Sequence, residues 1–495
     1  MKFIDKFLNS ISMYRLMLYY LVFLVSSAII LCFLGILPYI WTDILISAVY
    51  VLVICWITNK LFAKLFKASY NPESTLITAL ILALILGPDL IILTVAGVSA
   101  IASKYLLAWK GRHIFNPAAF GAVFCYFTLN YGATWWIGSL ETLPFIFLGS
   151  ILILRKIKRF QLAGIFFILT LILSTIRSAE FGLNTSYFFD LFYFLVPPIL
   201  FFNSVMLIEP LTSPYKFRHQ AIYAVIVAGA YYFYGTIPLE IPLELALLTG
   251  NVFAYIVNGS FRKVLTLKSV KKESADVISF SFRVPDKFKF EPGQFLEWTL
   301  AHKNPDSRGV RRFFTIASSP TEDEIILASR FADKSSSFKE ALKSLRTGDQ
   351  IIGSNLAGEF TLPSDPSKKF VFTSERRKLC FIAGGIGITP FRSMAEYLID
   401  KDQKRDIILL YSNKTEKDIV FRDVFEKAGW KNIYVNTDID GYIDEELIKN
   451  KVPDYKDRHF YLSGPPSMVD AFADLLSKMG IPGNQIRTDF FPGYN

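Results

Sequence analysis

The feature that most constrains this chain is its first 260 residues, a mostly apolar stretch interrupted by short clusters of basic residues. A helix needs about 20 consecutive apolar residues to cross the ~30 Å of hydrocarbon in a bilayer. About ten segments reach or approach this length. They run over residues 15–37, 39–59, 72–87, 89–109, 115–130, 135–154, 160–176, 187–208, 219–235 and 241–260. Residues 1–260 are therefore predicted to form a polytopic α-helical membrane domain of about ten spans.

The basic clusters predict how these segments are oriented. Clusters such as Lys110 with Arg112 and Arg262 with Lys263 fall at six places on one side, whereas the opposite side holds only Arg177. Loops on the cytoplasmic side carry an excess of Lys and Arg. We therefore expect an integral protein of a bacterial cytoplasmic membrane, with both termini in the cytoplasm. The first segment is too long for the apolar region of a signal peptide and lacks a small-residue cleavage site, so it is interpreted as a span.

Charge and cysteine content exclude several classes of function. The net charge of +10 does not indicate a nucleic-acid partner, because much of the basic excess lies in the clusters between apolar segments. The four cysteines are far apart and form no CxxC spacing. Neither an iron–sulfur centre within the chain nor a disulfide framework is expected, and no metal site is predicted.

A different pattern begins after Lys263, where apolar and polar residues alternate between polar or Pro/Gly turns. This alternation predicts strands over residues 264–270, 276–284, 295–300, 312–317 and 324–329. Short strands at regular spacing indicate a small antiparallel β-barrel, assigned to residues 261–373. From Lys378 the pattern changes to strand–turn–helix units. These indicate an α/β domain with a parallel sheet over residues 374–495.

The motif Arg312-Phe313-Phe314-Thr315 lies in one of the predicted barrel strands. Because side chains alternate along a strand, Arg312 and Phe314 share one face while Phe313 and Thr315 share the other. An arginine can pair with a flavin pyrophosphate, and an aromatic ring can stack on the isoalloxazine or the adenine. Thr315 can hydrogen-bond the flavin edge near N5. The motif therefore predicts an FAD site.

A second candidate for the pyrophosphate is the predicted helix that begins within Lys334–Phe338. The amides at its start and the hydroxyls of Ser336 and Ser337 suit a phosphate group. The alternative is that these serines only cap the helix.

In the α/β domain, a glycine-rich turn follows the buried strand 379–383. Gly384, Gly385 and Gly387 allow the backbone to come close to a nucleotide pyrophosphate, and Thr389-Pro390 begins a helix. The predicted strand that follows, 406–411, is not followed by an acidic residue but by Ser412-Asn413-Lys414. Lys414 could bind a 2′-phosphate or simply be solvated, so NADH and NADPH both remain open, with NADH favoured.

A third motif, Ser463-Gly464-Pro465-Pro466, ends another strand. In this order and spacing, the three motifs resemble the ferredoxin-NADP reductase superfamily over residues 262–495. The resemblance implies that Ser463 lies beside the nicotinamide C4, where the family usually has cysteine, and that the Gly464-Pro465-Pro466 turn binds nucleotide.

The same resemblance implies catalytic roles for Thr315 and Ser463. It also implies that an aromatic ring of the C-terminal segment, Phe490 or Phe491, covers the flavin. The cofactors expected in this half are FAD and NADH or NADPH.

Polar motifs also interrupt the apolar half. Asn116-Pro117 opens one segment, and Glu209-Pro210, followed by Thr212, ends another. Irregular polar backbone at membrane depth is tolerated where it lines a site, although ordinary helix capping at the inner surface is the alternative. Together with residues 74–80, these motifs resemble the flavin-carrying membrane proteins of the sodium-pumping NADH:quinone reductase and of Rnf-type complexes. That resemblance implies a second flavin, FMN or riboflavin, between the spans, with Asn116 and Thr212 as candidate contacts.

The members of that family attach FMN covalently to a threonine in a Ser-Gly-Ala-Thr-like motif on the outer side. This chain has Tyr131-Gly132-Ala133-Thr134 in a loop that the predicted topology places outside. The serine and a preceding acidic residue are missing, so a chance match is the alternative.

These features predict a membrane-bound flavoprotein oxidoreductase. Electrons would pass from NAD(P)H through FAD to a membrane flavin, and then to a quinone or an outer-side acceptor, directly or with partner electron-transfer subunits.

One alternative is an electron-driven Na⁺ or H⁺ pump, although no intramembrane acidic chain stands out. Another is a haem-containing transmembrane reductase, which requires paired histidines. Only His113 and His219 lie in the apolar half, both near the predicted inner surface.

Overall fold

The computed structural model describes residues 7–8, 11–66, 72–109, 112–180, 195–258, 262–284, 288–306, 309–333, 335–363 and 378–489. The chain divides into two compact units, Met1–Ser260 and Phe261–Phe491. The predicted aromatic contacts Phe490 and Phe491, residue Lys334, and the expected boundary between residues 373 and 374 lie outside the described residues.

The first unit is helical, and each predicted segment overlaps a helix, although residues 187–194 of the eighth segment lie outside the described residues. In its described part the helices are α1 (Met13–Phe33), α2 (Trp41–Leu65), α3 (Pro72–Ile85), α4 (Leu90–Leu106), α5 (Pro117–Leu129), α6 (Leu143–Ile157), α7 (Phe160–Glu180), α8 (Leu195–Leu207), α9 (Phe217–Tyr234) and α10 (Pro242–Asn258). A short ribbon of β1 (Ala108–Trp109) and β2 (Arg112–His113) precedes α5. The last turn of α8, Asn203–Leu207, is a π-helix.

The expectation of about ten spans is not supported by the lengths of these helices. Among the described residues, three helical stretches are long and apolar enough to cross a membrane: Met13–Phe33, Trp41–Leu65 and Phe160–Arg177. Helix α3, for example, has 14 residues and is therefore about 21 Å long. The predicted apolar segments included turn residues, and these turns shorten the helices.

The second unit begins with a six-stranded antiparallel sheet of order β6-β5-β8-β3-β4-β7. The strands are β3 (Arg262–Lys272), β4 (Val277–Arg283), β5 (Phe295–Thr299), β6 (Arg311–Thr315), β7 (Glu324–Arg330) and β8 (Gln350–Ala357). Helix α11 (Ser337–Lys343) places Phe338 in the core of this lobe with Phe282 and Trp298. The antiparallel strands agree with the prediction. Strand β8 was not predicted, although it pairs with both β3 and β5 in the middle of the sheet.

The rest of the second unit is an α/β lobe with a five-stranded parallel sheet of order β11-β10-β9-β12-β13. The elements are β9 (Lys378–Gly384), α12 (Thr389–Asp400), β10 (Ile407–Asn413), α13 (Arg422–Lys427), β11 (Lys431–Asn436), α14 (Glu445–Lys451), β12 (Arg458–Ser463), α15 (Pro466–Lys478) and β13 (Ile486–Thr488). Consecutive residues of β9, Phe381 and Ile382, pack in separate apolar clusters, so both faces of the sheet are covered. The predicted parallel-sheet fold is present.

An ion pair joins the two lobes of this unit. Arg392 on α12 donates through Nη1 and Nη2 to the two carboxylate oxygens of Glu322, at 2.6 and 2.9 Å. Its Nη1 also donates to the backbone oxygen of Ala317 at 2.9 Å. Next to it, the Ser393 hydroxyl donates to the backbone oxygen of Ser318 at 2.6 Å. These contacts fix the α/β lobe against the turn between β6 and β7.

Candidate functional site

The sheet order of the α/β lobe locates a crevice. Strand β9 lies between β10 and β12, so the chain reverses its direction of winding between β9 and β12. In open α/β sheets, ligands bind outside the carboxyl ends of the strands at such a switch point. Here the carboxyl ends of the two strands are Gly384 and Ser463. Two motifs that were identified separately in the sequence therefore meet at the position where the fold favours a nucleotide.

Backbone packing explains the glycines at this position. Gly385 has φ +53°, which favours glycine. A Cβ on Gly387 would lie 2.5 Å from the Cα of Gly464, closer than carbon atoms can approach without the backbone moving. The two turns therefore pack backbone against backbone. Thr389 and Pro390 follow directly as the first two residues of α12, as predicted.

Ser463 is buried at the base of this crevice and is 2% exposed. Its hydroxyl donates to Oδ2 of Asp489 at 3.1 Å, and the Asp489 amide donates to the backbone oxygen of Leu462 at 2.9 Å. The sequence places Asp489 at the start of the C-terminal segment that resembles the family's end segment, but it predicts a role only for the aromatic residues there. The structure shows that a carboxylate orients the Ser463 hydroxyl.

At the end of the neighbouring strand β10, Asn413 is 4% exposed. Neither its amide nitrogen nor its amide oxygen has a hydrogen-bond partner within the described part of the chain. The buried Tyr411 hydroxyl lies beside it without hydrogen-bond geometry, and burial raises the pKa of Tyr411 to about 12. Buried amides are normally paired, so an unpaired one at the carboxyl edge fits a site that receives a polar ligand. Lys414, predicted as a candidate for a 2′-phosphate, is exposed.

The barrel motif has the predicted alternation. Phe314 and Arg312 face α11, with the Phe314 ring centroid 5.8 Å and the Arg312 guanidinium carbon 5.4 Å from the Phe338 ring. Phe313 is on the other face, with its ring 5.3 Å from that of Phe295. Thr315 is buried on this second face, opposite Phe295 in the pairing of β5 and β6.

The two predicted pyrophosphate contacts are brought together. Ser336 is the N-cap of α11, and its hydroxyl accepts from the Lys339 amide at 3.4 Å, so the capping interpretation holds for this residue. Arg312 donates to Oδ1 of Asp306 at 2.8 Å, and the Ser337 amide donates to Oδ2 of the same carboxylate at 3.3 Å. Sequence reasoning missed Asp306, which lies in the loop between β5 and β6.

Arg330, at the end of β7, also went unnoticed in the sequence. Its Nη1 lies 3.3 Å from the position that a Cβ on Gly385 would take, and its Nε lies 2.8 Å from Oδ2 of Asp276. The lobe of the antiparallel sheet therefore places a cation directly against the glycine turn of the α/β lobe. A guanidinium there suits the phosphate groups of a dinucleotide.

The helical unit has a separate polar cluster. Asn116 donates through Nδ2 to Oε2 of Glu209 at 2.9 Å, and the Thr212 hydroxyl donates to the same oxygen at 2.8 Å. The Asn251 side chain accepts from the backbone amide of Asn116 at 2.7 Å and donates to the backbone oxygen of Thr212 at 3.0 Å. The Asn116 side chain also caps α5 by accepting from Ala119. The structure thus brings Asn116 and Thr212 together, with side chains that already have protein partners.

A pocket lies beside this cluster. Its polar lining is Ser74, Thr78, Asn116 and Glu209, and its walls include the flexible side chains of Met13 and Met17 together with several isoleucines. The cavity volume is about 30 Å³, room for about two water molecules.

The predicted Thr134 and the two histidines lie elsewhere in the helical unit. Thr134 is exposed, and its hydroxyl donates to the Ile85 backbone oxygen at 3.3 Å. His113 lies in β2, and His219 lies in the first turn of α9. Within the described residues, no group of three or more His, Cys, Asp or Glu could hold a metal ion.

Comparisons with known proteins address the second unit. The family model described as the oxidoreductase NAD-binding domain matches residues 381–474. The chain is 25% identical over 241 residues to the glycine betaine monooxygenase reductase subunit of Chromohalobacter salexigens, covering 45% of this chain and 62% of that protein. It is 27% identical over 248 residues to the flavohemoprotein of Oceanobacillus iheyensis, covering 47% and 59%.

Among solved structures, the cytochrome P450 reductase GcoB of Amycolatopsis aligns with a TM-score of 0.41 and 20% identity, covering 47% of this chain and 71% of that one. The chain spans 62% and 59% of the length of the two relatives named above. The family match and the two relatives support an FAD- and NAD(P)H-dependent oxidoreductase module of ferredoxin reductase type in the carboxyl-terminal half.

Proposed function

We propose that the whole protein is a membrane-bound flavoprotein oxidoreductase that takes electrons from NAD(P)H through FAD and passes them on through its helical unit. The observation that carries the proposal is the crevice at the switch point. There the Gly384–Gly387 turn packs on Gly464, with Ser463 at its base. Hydride transfer requires the nucleotide and the flavin to be held together, and Arg330 brings the lobe that carries the flavin motif against the glycine turn of this crevice.

The residues of the chain would have distinct roles in this reaction. FAD, when bound, supplies the chemistry by accepting hydride and releasing electrons singly. Arg312 would hold the flavin pyrophosphate with Ser336 and Ser337, and Thr315 would bind the ring edge. The glycine turn, Thr389 and Pro390 would bind the nucleotide with Gly464, Pro465 and Pro466. Ser463, held by Asp489, would position the nicotinamide.

Catalytic and spectroscopic assays on the full chain test this proposal. Purified protein in detergent should retain FAD and oxidise NADH or NADPH when ferricyanide is supplied as an artificial acceptor. The ratio of kcat/KM for the two nucleotides decides the preferred donor. Absence of both bound FAD and NAD(P)H oxidation after FAD is added would contradict the proposal.

Three features support a membrane location. The helical unit has three stretches that meet the length and hydropathy needed for a span. Large apolar side chains on α1 and α2 are exposed, among them Ile30, Ile46 and Leu65. Exposed apolar side chains in this number indicate contact with lipid or another apolar partner. The one-sided basic clusters agree with a cytoplasmic reductase module. Recovery of the full chain in the soluble fraction, without detergent, would contradict this location.

A second flavin, FMN or riboflavin, is proposed for the helical unit on the resemblance to membrane flavoproteins. Asn116 and Glu209 give the pocket a polar edge that suits a flavin ring. The volume does not fit, because a space for about two waters cannot hold an isoalloxazine unless Met13 and Met17 move. No electron step is therefore assigned to this pocket. Flavin retained by the denatured protein would identify covalent attachment, and loss of that flavin in T134A would place it at Thr134.

The onward acceptor is proposed to be a quinone or an outer-side acceptor, reached directly or through partner electron-transfer subunits.

An ion pump is the second candidate, and Glu244 on α10 favours it. Glu244 is fully buried, and its carboxylate lies beside the Trp135 side chain without hydrogen-bond geometry. Ionisable residues inside a membrane domain commonly mark ion pathways. In proteoliposomes, a pump would show turnover that depends on Na⁺ or on the proton gradient, and E244Q would abolish that dependence. The haem alternative predicts a Soret band.

A further inference from the structure

The loop between β5 and β6 places a carboxylate on the arginine of the flavin motif. Oδ1 of Asp306 accepts from Nη2 of Arg312 at 2.8 Å, and the two side chains form an ion pair. Oδ2 of Asp306 accepts from the Ser337 amide at 3.3 Å. The two oxygens of one carboxylate thus bridge two of the groups assigned to the flavin pyrophosphate.

Further contacts restrict the Arg312 side chain beside this ion pair. Arg312 is 7% exposed, and its Nη1 donates to the backbone oxygens of Gly309 at 3.0 Å and Arg311 at 2.7 Å. Its guanidinium carbon is 5.4 Å from the Phe338 ring. A guanidinium held in this way presents Nη2 in a fixed direction. Asp306 lies in that direction.

The loop itself is anchored through Ser337. The Asp306 amide donates to the Ser337 hydroxyl oxygen at 2.8 Å, and that hydroxyl is 3.0 Å from Nε2 of His302. Nδ1 of His302 is 2.8 Å from the Leu300 backbone oxygen. These hydrogen bonds hold residues 300–306 against the start of α11. The Asp306 side chain is 27% exposed, so its carboxylate can leave Arg312 for solvent when a ligand offers the arginine a stronger anion.

We propose that Asp306 is an internal anion that competes with the flavin pyrophosphate for Arg312 and so sets the affinity of the protein for FAD. The inference rests on the proposed FAD site of this lobe. A carboxylate and a phosphate bind the same guanidinium fork, and two anions at one arginine repel each other. FAD binding therefore displaces Asp306, and the energy of the Asp306–Arg312 ion pair lowers the observed affinity for FAD.

Asp306→Asn tests this competition, since it removes the charge and keeps the size and a hydrogen-bond acceptor. The flavin-free full chain in detergent is titrated with FAD, and Kd is measured from flavin fluorescence. We expect Kd to fall about tenfold or more at low ionic strength, and the gain to shrink as salt is added. Asp323→Asn removes an exposed aspartate of the same lobe and should leave Kd unchanged.

The opposite result distinguishes a structural role. If Asp306 only orients Arg312 for the phosphate, D306N and D306A will bind FAD equally or more weakly, and the proposal is wrong. If the wild-type chain does not bind FAD at all, the proposed flavin site fails instead. A measurement on the wild-type chain covers the case in which the variants do not fold. Hydrogen exchange at the Asp306 amide should become faster when FAD binds, and slower exchange contradicts displacement.

Discussion

The ion pair between Arg392 and Glu322 allows a quantitative prediction for the reductase module. The Arg392 side chain is 10% exposed and that of Glu322 is 24% exposed, so removing the carboxylate leaves a nearly buried guanidinium without its negatively charged partner. Breaking a buried pair in this way costs about 3–5 kcal/mol, and the partial exposure of Glu322 favours the lower end. We therefore expect Glu322→Ala to destabilise the module by about 3 kcal/mol.

Removing the other partner should cost less. In Arg392→Met, the remaining Glu322 carboxylate is partly hydrated and still accepts from the Ser319 amide at 2.5 Å. The expected loss is about 1–2 kcal/mol, and the double variant should lose less than the sum of the single losses. This asymmetry follows from the unequal burial of the two partners.

The assay is thermal unfolding of the full chain in detergent, followed by the release of FAD fluorescence. For a unit of this size, 1 kcal/mol corresponds to about 2–4 °C in Tm. Glu322→Ala should therefore lower Tm by about 6–12 °C. The control is Glu445→Ala, which breaks the exposed pair of Lys449 and Glu445, both 49% exposed. That pair should be worth less than about 0.5 kcal/mol. Equal shifts for Glu322→Ala and Glu445→Ala would refute the reasoning.

Three further predictions concern the α/β lobe. Ser463→Ala should slow the reduction of the flavin by NAD(P)H in stopped-flow absorbance, because the hydroxyl held by Asp489 at 3.1 Å is lost, whereas Ser463→Cys should retain much of the rate. Gly387→Ala should destabilise the crevice and raise KM for the nucleotide, since the added Cβ would meet Gly464 at 2.5 Å; an unchanged KM would contradict the packing. A hydrogen bond from Arg458 lowers the pKa of Asp454 to about 2. The stability that Asp454 supplies is therefore present above pH ~4 and lost as pH falls towards 2, so Asp454→Asn should lower Tm at pH 7 but not near pH 2.

Local patterns in the sequence predicted the elements of the second unit well. Alternation predicted the faces of Arg312, Phe313 and Phe314, and the glycine turn predicted the end of β9 and the start of α12. These features depend on residues that are close in sequence. Strand β8 was missed because it contains polar residues and Gly353, which do not form an alternating pattern. It nevertheless lies in the middle of the antiparallel sheet. Its pairing with β3 and β5 decides its conformation, and the pattern of a single strand does not carry that information.

The residues that complete the candidate site could not be predicted, because each acts across a long sequence separation. Arg330 reaches the turn at Gly385 from the other lobe, Asp489 meets Ser463 from the end of the module, and the Asn413 amide is notable only for its burial. The expected number of about ten membrane spans is not supported either, for a different reason. Hydropathy measures the apolar content of a segment but does not show where turns shorten the helices, as in α3.

The central claim is that electrons enter the protein from NAD(P)H through FAD and leave it towards a membrane acceptor. The most direct measurement is an anaerobic titration of the purified full chain with NADH and NADPH, following the flavin absorbance, with a water-soluble quinone then added. The account predicts that at least one nucleotide bleaches the flavin and that the quinone restores its absorbance. A flavin that neither nucleotide reduces would contradict the account.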